Sequence, residues 1–198
     1  MSWKKFFKKF RYIVDDISET LSNQDGEIYP PIESMFDMFT MLSPKDIKVV
    51  IVGQSPYPND DACGIPFVTS SGKVTKSLEN IRKELLLEYP YLNIPLDINK
   101  IVKSWVKQGV FLLNMSLTTG TETEDHSVMW EEFIREVIKY ITKRDIPVIL
   151  MGSVAWSIDT KYPIRVPHPV ARDGKFIGCN VFLQCNELLD EPIRWASF

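Results

Sequence analysis

Val49, Val50, Ile51 and Val52 are four consecutive β-branched residues that run straight into Gly53 and a turn, Gln54-Ser55-Pro56-Tyr57-Pro58, punctuated by two prolines. An uninterrupted apolar run of this kind suits a strand buried on both faces, as in the parallel sheet of an α/β protein. Ligands of such sheets bind just beyond the carboxyl ends of the strands. That sets Gln54, Ser55 and Tyr57 at the rim of a pocket; a tight, solvent-exposed βα loop is the other reading of the same residues.

The remainder of the chain alternates in the same way. Residues 3–22 have helical spacing of Phe6, Phe7, Phe10, Ile13, Val14, Ile17 and Leu21, broken by Ser22-Asn23-Gln24-Asp25-Gly26. Tyr29-Pro30-Pro31 is a stiff loop, and helical spacing resumes over Ile32–Met41. The first strand is expected over Ile47–Val52 and a loop over Asn59–Ser71. Ser77 precedes a helix over Leu78–Leu87, and a second helix over Ile98–Gln108 closes on Gly109 as a C-terminal glycine would. Val110–Leu113 is a second buried strand ending at Asn114. A polar loop over Thr118–Ser127 leads to a helix over Trp130–Thr142. Ile146–Met151 is a third strand, followed by Gly152-Ser153 and a short helix. A weak fourth strand, Ile164–Val166, runs into Pro167-His168-Pro169, and Asn180–Leu189 reads as a last helix. The pattern predicts an α/β fold, a doubly wound three-layer sandwich around a central four-stranded parallel sheet, as one domain over residues 1–198.

A chain of 198 residues with 44% hydrophobic and 25% charged residues can bury one sizeable core. The net charge of −3 offers no global attraction to nucleic acid, so DNA binding has to rest on a local patch. One basic cluster, Lys4, Lys5, Lys8, Lys9 and Arg11, is interleaved with Trp3, Phe6, Phe7 and Phe10. It reads as an amphipathic helix packed on the body, with contact to phosphates or a membrane surface as the alternative. Cys63, Cys179 and Cys185 lack metal-site spacing and read as free thiols of an intracellular, reducing compartment. No apolar run of about 18 residues is present, so no membrane span is expected, and the basic start lacks the apolar stretch of a secretory signal.

Each strand ends in a short polar signature: Gln54-Ser55, Asn114, Gly152-Ser153 and His168. In a parallel sheet these ends lie along one edge, so topology alone brings them together. Asn114 offers a donor and an acceptor on one planar group, suited to reading the edge of a pyrimidine or an amide; capping the loop after its strand is the alternative. Phe67 is either a stacking face or a core residue, and Tyr57 either a rigid wall between two prolines or a structural tyrosine. His168 stands between Pro167 and Pro169, which fixes an imidazole in a preorganised position. It could donate to a developing oxyanion, act as a general acid, or brace its loop.

Taken together, these residues resemble the family-1 uracil-DNA glycosylases over nearly the whole chain. That family carries G-Q-D-P-Y-H after its first strand; Gly53–Pro58 reads G-Q-S-P-Y-P. Leu112–Thr118 matches its Leu-Leu-Asn-x-x-Leu-Thr stretch, Met151-Gly152-Ser153 its glycine-serine strand end, and His168-Pro169-Val170-Ala171-Arg172 its H-P-S-P-L loop. Lesser matches are Trp3-Lys4-Lys5, Tyr29-Pro30-Pro31, Ser77-Leu78-x-Asn80-Ile81, Trp130-Glu131-x-Phe133 and Asn186-Glu187-Leu188-Leu189. Pro58, the run from His168 to Asp173, and the His126-x-x-x-Trp130 spacing resemble the poxviral branch. The resemblance implies base flipping into a pocket that reads the Watson–Crick edge of uracil. By position, Asn114 would pair with that edge, Phe67 would stack on the ring, Tyr57 would exclude a 5-methyl group, and backbone around Gln54 would contact the O2 side. His168 would donate to O2 as charge develops. Ser77 and Ser153 match serines that grip DNA phosphates, and Pro169 and Arg172 lie on the loop that wedges into the duplex, Arg172 in place of its leucine. The implied partner is uracil-containing DNA, single- or double-stranded, bound by a monomer that needs no metal and no cofactor.

The departures fall in the most diagnostic motif. The family's aspartate, which orients water and stabilises the sugar cation, is Ser55 here, and its closing histidine is Pro58. A serine hydroxyl accepts a hydrogen bond from water but carries no charge at neutral pH. Three accounts follow: a slow glycosylase; a former glycosylase serving as a DNA-binding, replication- or polymerase-associated, or inhibitor-binding subunit; or a carboxylate supplied by Asp60 or Asp61. A proteinaceous inhibitor that grips the family's leucine would meet Arg172 instead.

Overall fold

The computed structural model describes residues 1–121 and 125–197; residues 122–124 of the expected polar loop over Thr118–Ser127 lie outside the described residues. The apolar runs pair as a parallel sheet of β1 (Val49–Gly53), β2 (Val110–Asn114), β3 (Val148–Met151) and β4 (Pro163–Val166), in the order β2-β1-β3-β4. Every residue of β1, β2 and β3 is buried. β4, at an edge, buries Ile164 and Val166 and exposes Arg165, so only this strand shows the two-residue period of a half-covered sheet. The register sets Gly53 beside Asn114, which brings the ends of β1 and β2 level.

The β1-to-β2 and β2-to-β3 crossovers run in opposite directions along the sheet. With right-handed connections their helices cover opposite faces. Helices α1 (Trp3–Lys9), α2 (Arg11–Ser22) and α3 (Asp37–Met41) pack with the later α6. This layer meets the sheet through an aromatic cluster of Trp3, Phe6, Phe39, Phe111 and Phe133. Helices α4 (Lys76–Glu88) and α5 (Ile98–Lys107) fill the first crossover, and α6 (Ser127–Ile141) fills the second. Helix α7 (Val181–Asn186) joins α4, and Trp105, Phe182 and Trp195 pack in that layer. One cluster of buried side chains runs from Trp3 to Ala196. The α/β sandwich expected from the sequence is the fold observed, and no helix of the described residues is long and apolar enough to cross a membrane.

Element ends differ where local hydrogen bonding outweighs periodicity. The first strand starts at Val49 rather than Ile47 and extends through Gly53. Thr75 caps α4, its Oγ1 accepting from the Leu78 N–H at 3.4 Å, so Ser77 lies inside the first turn rather than before the helix. The helix expected over Ile32–Met41 is split into a 3-10 turn at Ile32–Ser34 and α3. The last helix is shorter than Asn180–Leu189 at both ends: Asn180 adopts a left-handed φ of 54°, and the helix stops at Asn186, whose side chain hydrogen-bonds the Ile193 backbone at 2.9 and 3.0 Å. Gly109 does end α5 as expected, with φ +100° and its N–H donating to Val106 O at 3.1 Å.

Candidate active site

Absence of a side chain at Gly53 opens the site. A Cβ there would lie 2.6 Å from Asn114 Oδ1 and 2.8 Å from Phe67 Cζ, so glycine lets the carboxamide and the ring approach across the end of β1. Asn114 is 4% exposed, and its side chain has no hydrogen-bond partner among the described residues. Its polar atoms are not sealed off but open onto a cavity, where water or a ligand can satisfy them. The capping alternative for Asn114 therefore fails. Phe67 has φ +67°, a left-handed conformation uncommon for an aromatic residue and of the kind that collects at ligand sites.

Tyr57 stands opposite, half-buried. Its hydroxyl lies 3.0 Å from Thr75 Oγ1 and 3.5 Å from Phe67 O, tying the β1 turn to the start of α4. Burial pushes its pKa up, partly offset by the Thr75 hydrogen bond. The Gln54 carbonyl accepts from the Ser116 N–H at 3.1 Å and the Gly53 carbonyl from the Met115 N–H at 3.0 Å. These two bonds tie the end of β1 and the start of the turn to the chain that follows Asn114.

His168 arrives from the end of β4. Gly152, at φ +94°, makes room for it: a Cβ at 152 would lie 3.1 Å from His168 Cβ. The Val170 N–H donates to His168 Nδ1 at 3.2 Å. Because a backbone amide can only donate, Nδ1 is the bare nitrogen and Nε2 carries the proton. Burial lowers the His168 pKa and so favours this neutral form. The loop is held by the Ala171 N–H on His168 O at 2.8 Å and by Asn80 of α4, whose Nδ2 donates to Pro169 O at 2.7 Å.

Gln54, Ser55, Tyr57, Phe67, Ser77, Asn114 and His168 all line one cavity of about 250 Å³. That is below the range of about 300–1,000 Å³ typical of drug-sized ligands. Met35, Met38 and Phe39 close its apolar floor, and no carboxylate lines it. Asp61 does not supply one: its carboxylate accepts from the Ser71 hydroxyl. Asp60 is exposed on the outer loop, away from the cavity lining. The third account of Ser55 therefore loses its support. Ser153 and Arg172 are exposed and Pro169 buried, all outside the cavity lining, on the loops that frame its mouth.

Two buried polar networks lie outside the cavity. Glu84 and Glu88, one turn apart on α4, are buried at 0% and 9% exposure. Glu84 accepts from the Gly178 and Asn180 N–H groups, and Glu88 from Phe182 and Leu183 at the start of α7. They anchor the far end of the segment that begins at His168. Burial, opposed by its two amide donors, raises the Glu88 pKa to about 7. A charged pair at helical spacing reads as a solvated face, so nothing in the sequence marks it. The second feature is His126, buried between Gln24 Nε2 at 3.0 Å and Thr118 Oγ1 at 2.9 Å, with Trp130 Nε1 donating to the same Thr118 oxygen at 2.8 Å. The His126–Trp130 spacing thus belongs to a structural network, separate from the cavity.

Residues 39–190 match the family model of the uracil DNA glycosylase superfamily. A uracil-DNA glycosylase of Borreliella burgdorferi is 39% identical over 193 residues, covering 90% of this chain and 84% of that protein. One from Mycoplasmopsis pulmonis is 33% identical, covering 98% and 96%. The crystal structure of mimivirus uracil-DNA glycosylase superposes with a TM-score of 0.82 at 27% identity, over 98% of this chain and 85% of that one. A variant mimivirus UNG solved in complex with UGI superposes with a TM-score of 0.83. The chain belongs to the uracil-DNA glycosylase superfamily.

Proposed function

We propose that this member of the uracil-DNA glycosylase superfamily acts as one unit over residues 1–198, flips uracil out of DNA and hydrolyses its N-glycosidic bond slowly. One observation carries the reading. A buried, unpartnered carboxamide, an aromatic face and a neutral imidazole N–H converge on a cavity that no carboxylate lines. Asn114 pairs with the edge of the base, Phe67 stacks on the ring, and Tyr57 walls off position 5.

As the bond from C1′ to N1 breaks, its electron pair passes to the base and negative charge builds on O2. His168 Nε2–H donates to that oxygen, with N–H groups around Gln54 on the same side. Water adds to C1′ of the sugar cation and gives its proton to solvent, while the departing uracil anion takes one proton from solvent, giving an abasic site and free uracil. Ser55 orients the water by a hydrogen bond but leaves the sugar cation without a countercharge, which is why the step is slow. At the mouth, Ser77 in the first turn of α4 and Ser153 contact phosphates, supported at α4 by the positive end of the helix. The loop of Pro169 and Arg172 enters the gap left by the base.

Uracil-containing single-stranded and duplex oligonucleotides, incubated with the native chain in excess, test the reading. Abasic product should accumulate slowly and only from uracil strands. Tight uracil-selective binding with no product would assign the chain to the non-enzymatic, DNA-binding use of the same pocket.

A further inference from the structure

The basic N-terminal segment takes no part in the cavity. In α1, 3.6 residues per turn place Lys4, Lys5, Lys8 and Lys9 within an arc of about 140°. All four are exposed, while Trp3, Phe6 and Phe10 on the opposite side are buried. None of the four forms an ion pair with a described residue, whereas Arg11, which follows them, pairs with Asp15. Residues 1–11 carry five basic side chains and no acidic one. From totals of 23 and 26, this leaves 18 basic against 26 acidic side chains, a net −8, on everything else. Near the cavity mouth two cations are internally paired, Lys76 with Glu79 at 3.1 Å and Lys175 with Asp173 at 3.4 Å, while Arg172 forms no ion pair with a described residue. Among the described residues, the densest block of positive charge without an ion pair therefore lies on α1 rather than at the mouth.

The aromatic packing fixes where that block lies. Trp3 stacks on Phe111 with ring centroids 5.3 Å apart and donates through Nε1 to Leu42 O at 2.7 Å. Phe111 comes three residues before Asn114 in β2, about 10 Å below the mouth at strand rise. The lysine face is thus rigidly mounted on the flank of the molecule. We propose that it is a second, sequence-independent contact for the phosphate backbone of duplex DNA, engaged when the duplex extends past the mouth. The proposal rests on the reading above only for the identity of the polyanion. A bilayer fits the face less well, because membrane-binding helices insert apolar side chains and those of α1 are turned into the core.

The test compares the full chain with a variant carrying Lys4→Gln, Lys5→Gln, Lys8→Gln and Lys9→Gln; these changes keep every buried aromatic side chain and remove one exposed contact, that of Lys9 Nζ with the Phe10 ring at 4.6 Å. Binding to a long uracil-free duplex is measured against salt. Each lost phosphate contact removes about 0.9 from the log–log slope, so loss of all four should make the variant's slope shallower by about 3.6. Single-turnover uracil release from a short single strand, confined to the mouth, should be unchanged. An unchanged duplex slope overturns the proposal, as does an unchanged slope with loss of binding to phosphatidylserine vesicles, which would make the face a lipid contact. A shallower slope in a chain that releases no uracil would uphold this contact while removing the enzymatic reading.

Discussion

The two halves of the cavity are built differently. The half from β1 and β2 is buried and set by the backbone: Gly53 lies level with Asn114, the turn carbonyls are tied to Met115 and Ser116, and Phe67 is held at φ +67°. The other half consists of Ser55 and His168 on loops, one exposed and one half-buried. In the proposed function, shape and hydrogen bonding for a planar base are assigned to the first half, and the groups that act on the bond to the second. A chain can therefore keep the recognition half whole while a single side chain removes charge from the reacting half. On that proposal, substrate selectivity and rate are separable, and substitutions in the two halves should move them independently.

Substitutions in the first half should break selectivity. Gly53→Ala has the largest expected effect, because its Cβ would collide with Asn114 and Phe67. Uracil release should fall at least about 100-fold for a stability cost of about 1–3 kcal/mol, read by single-turnover kinetics beside thermal melting. Asn114→Ala should lose about 10- to 100-fold in both release and competition by free uracil, the worth of about 1–3 kcal/mol for a buried polar pairing. Retained uracil competition in either variant would place the base elsewhere.

Two pH measurements sharpen the other half. His168 is held neutral by burial, with its pKa below the ordinary 6.5. Its stability contribution is present above 6.5 and is lost as pH falls through the lower folded value. The release rate of the native chain should stay level from pH 8 to 6.5 and turn down only below that. A midpoint at or above 6.5 would argue against the bare Nδ1. Glu88 has the opposite sign. Its folded pKa of about 7 lies above the ordinary 4.5, so its contribution is full below 4.5 and is lost as pH rises through 7. The melting temperature should drop by a few degrees from pH 5.5 to 8.5, the scale of about 1 kcal/mol in a chain of this size, and Glu88→Gln should flatten that drop.

Legibility in the sequence followed physical range. The four strands and their polar ends were readable because burial on both faces leaves an unbroken apolar run, and parallel topology alone gathers the ends. Gln54, Ser55, Asn114 and His168 share one cavity for that reason, and Tyr57, Phe67 and Ser77 join them from the β1 turn, the following loop and α4. What could not be read depends on contacts distant in sequence. Asn80 holding Pro169 spans 89 positions, and Glu84 reaching Asn180 spans 96. The tautomer of His168 rests on a local turn whose geometry no residue pattern specifies. Ser77 was placed one residue outside its helix because Thr75, also a good cap, competed for the role.

The central claim is that the pocket is complete and that Ser55 alone limits the chemistry. Single-turnover release of uracil from a single-stranded oligonucleotide, measured for the native chain and for Ser55→Asp, tests it most directly. Restoring a carboxylate beside the sugar should raise the rate by about 100- to 1,000-fold, the usual worth of one well-placed electrostatic group, with uracil competition unchanged. Equal rates for the two proteins, or no product from either, would contradict the claim.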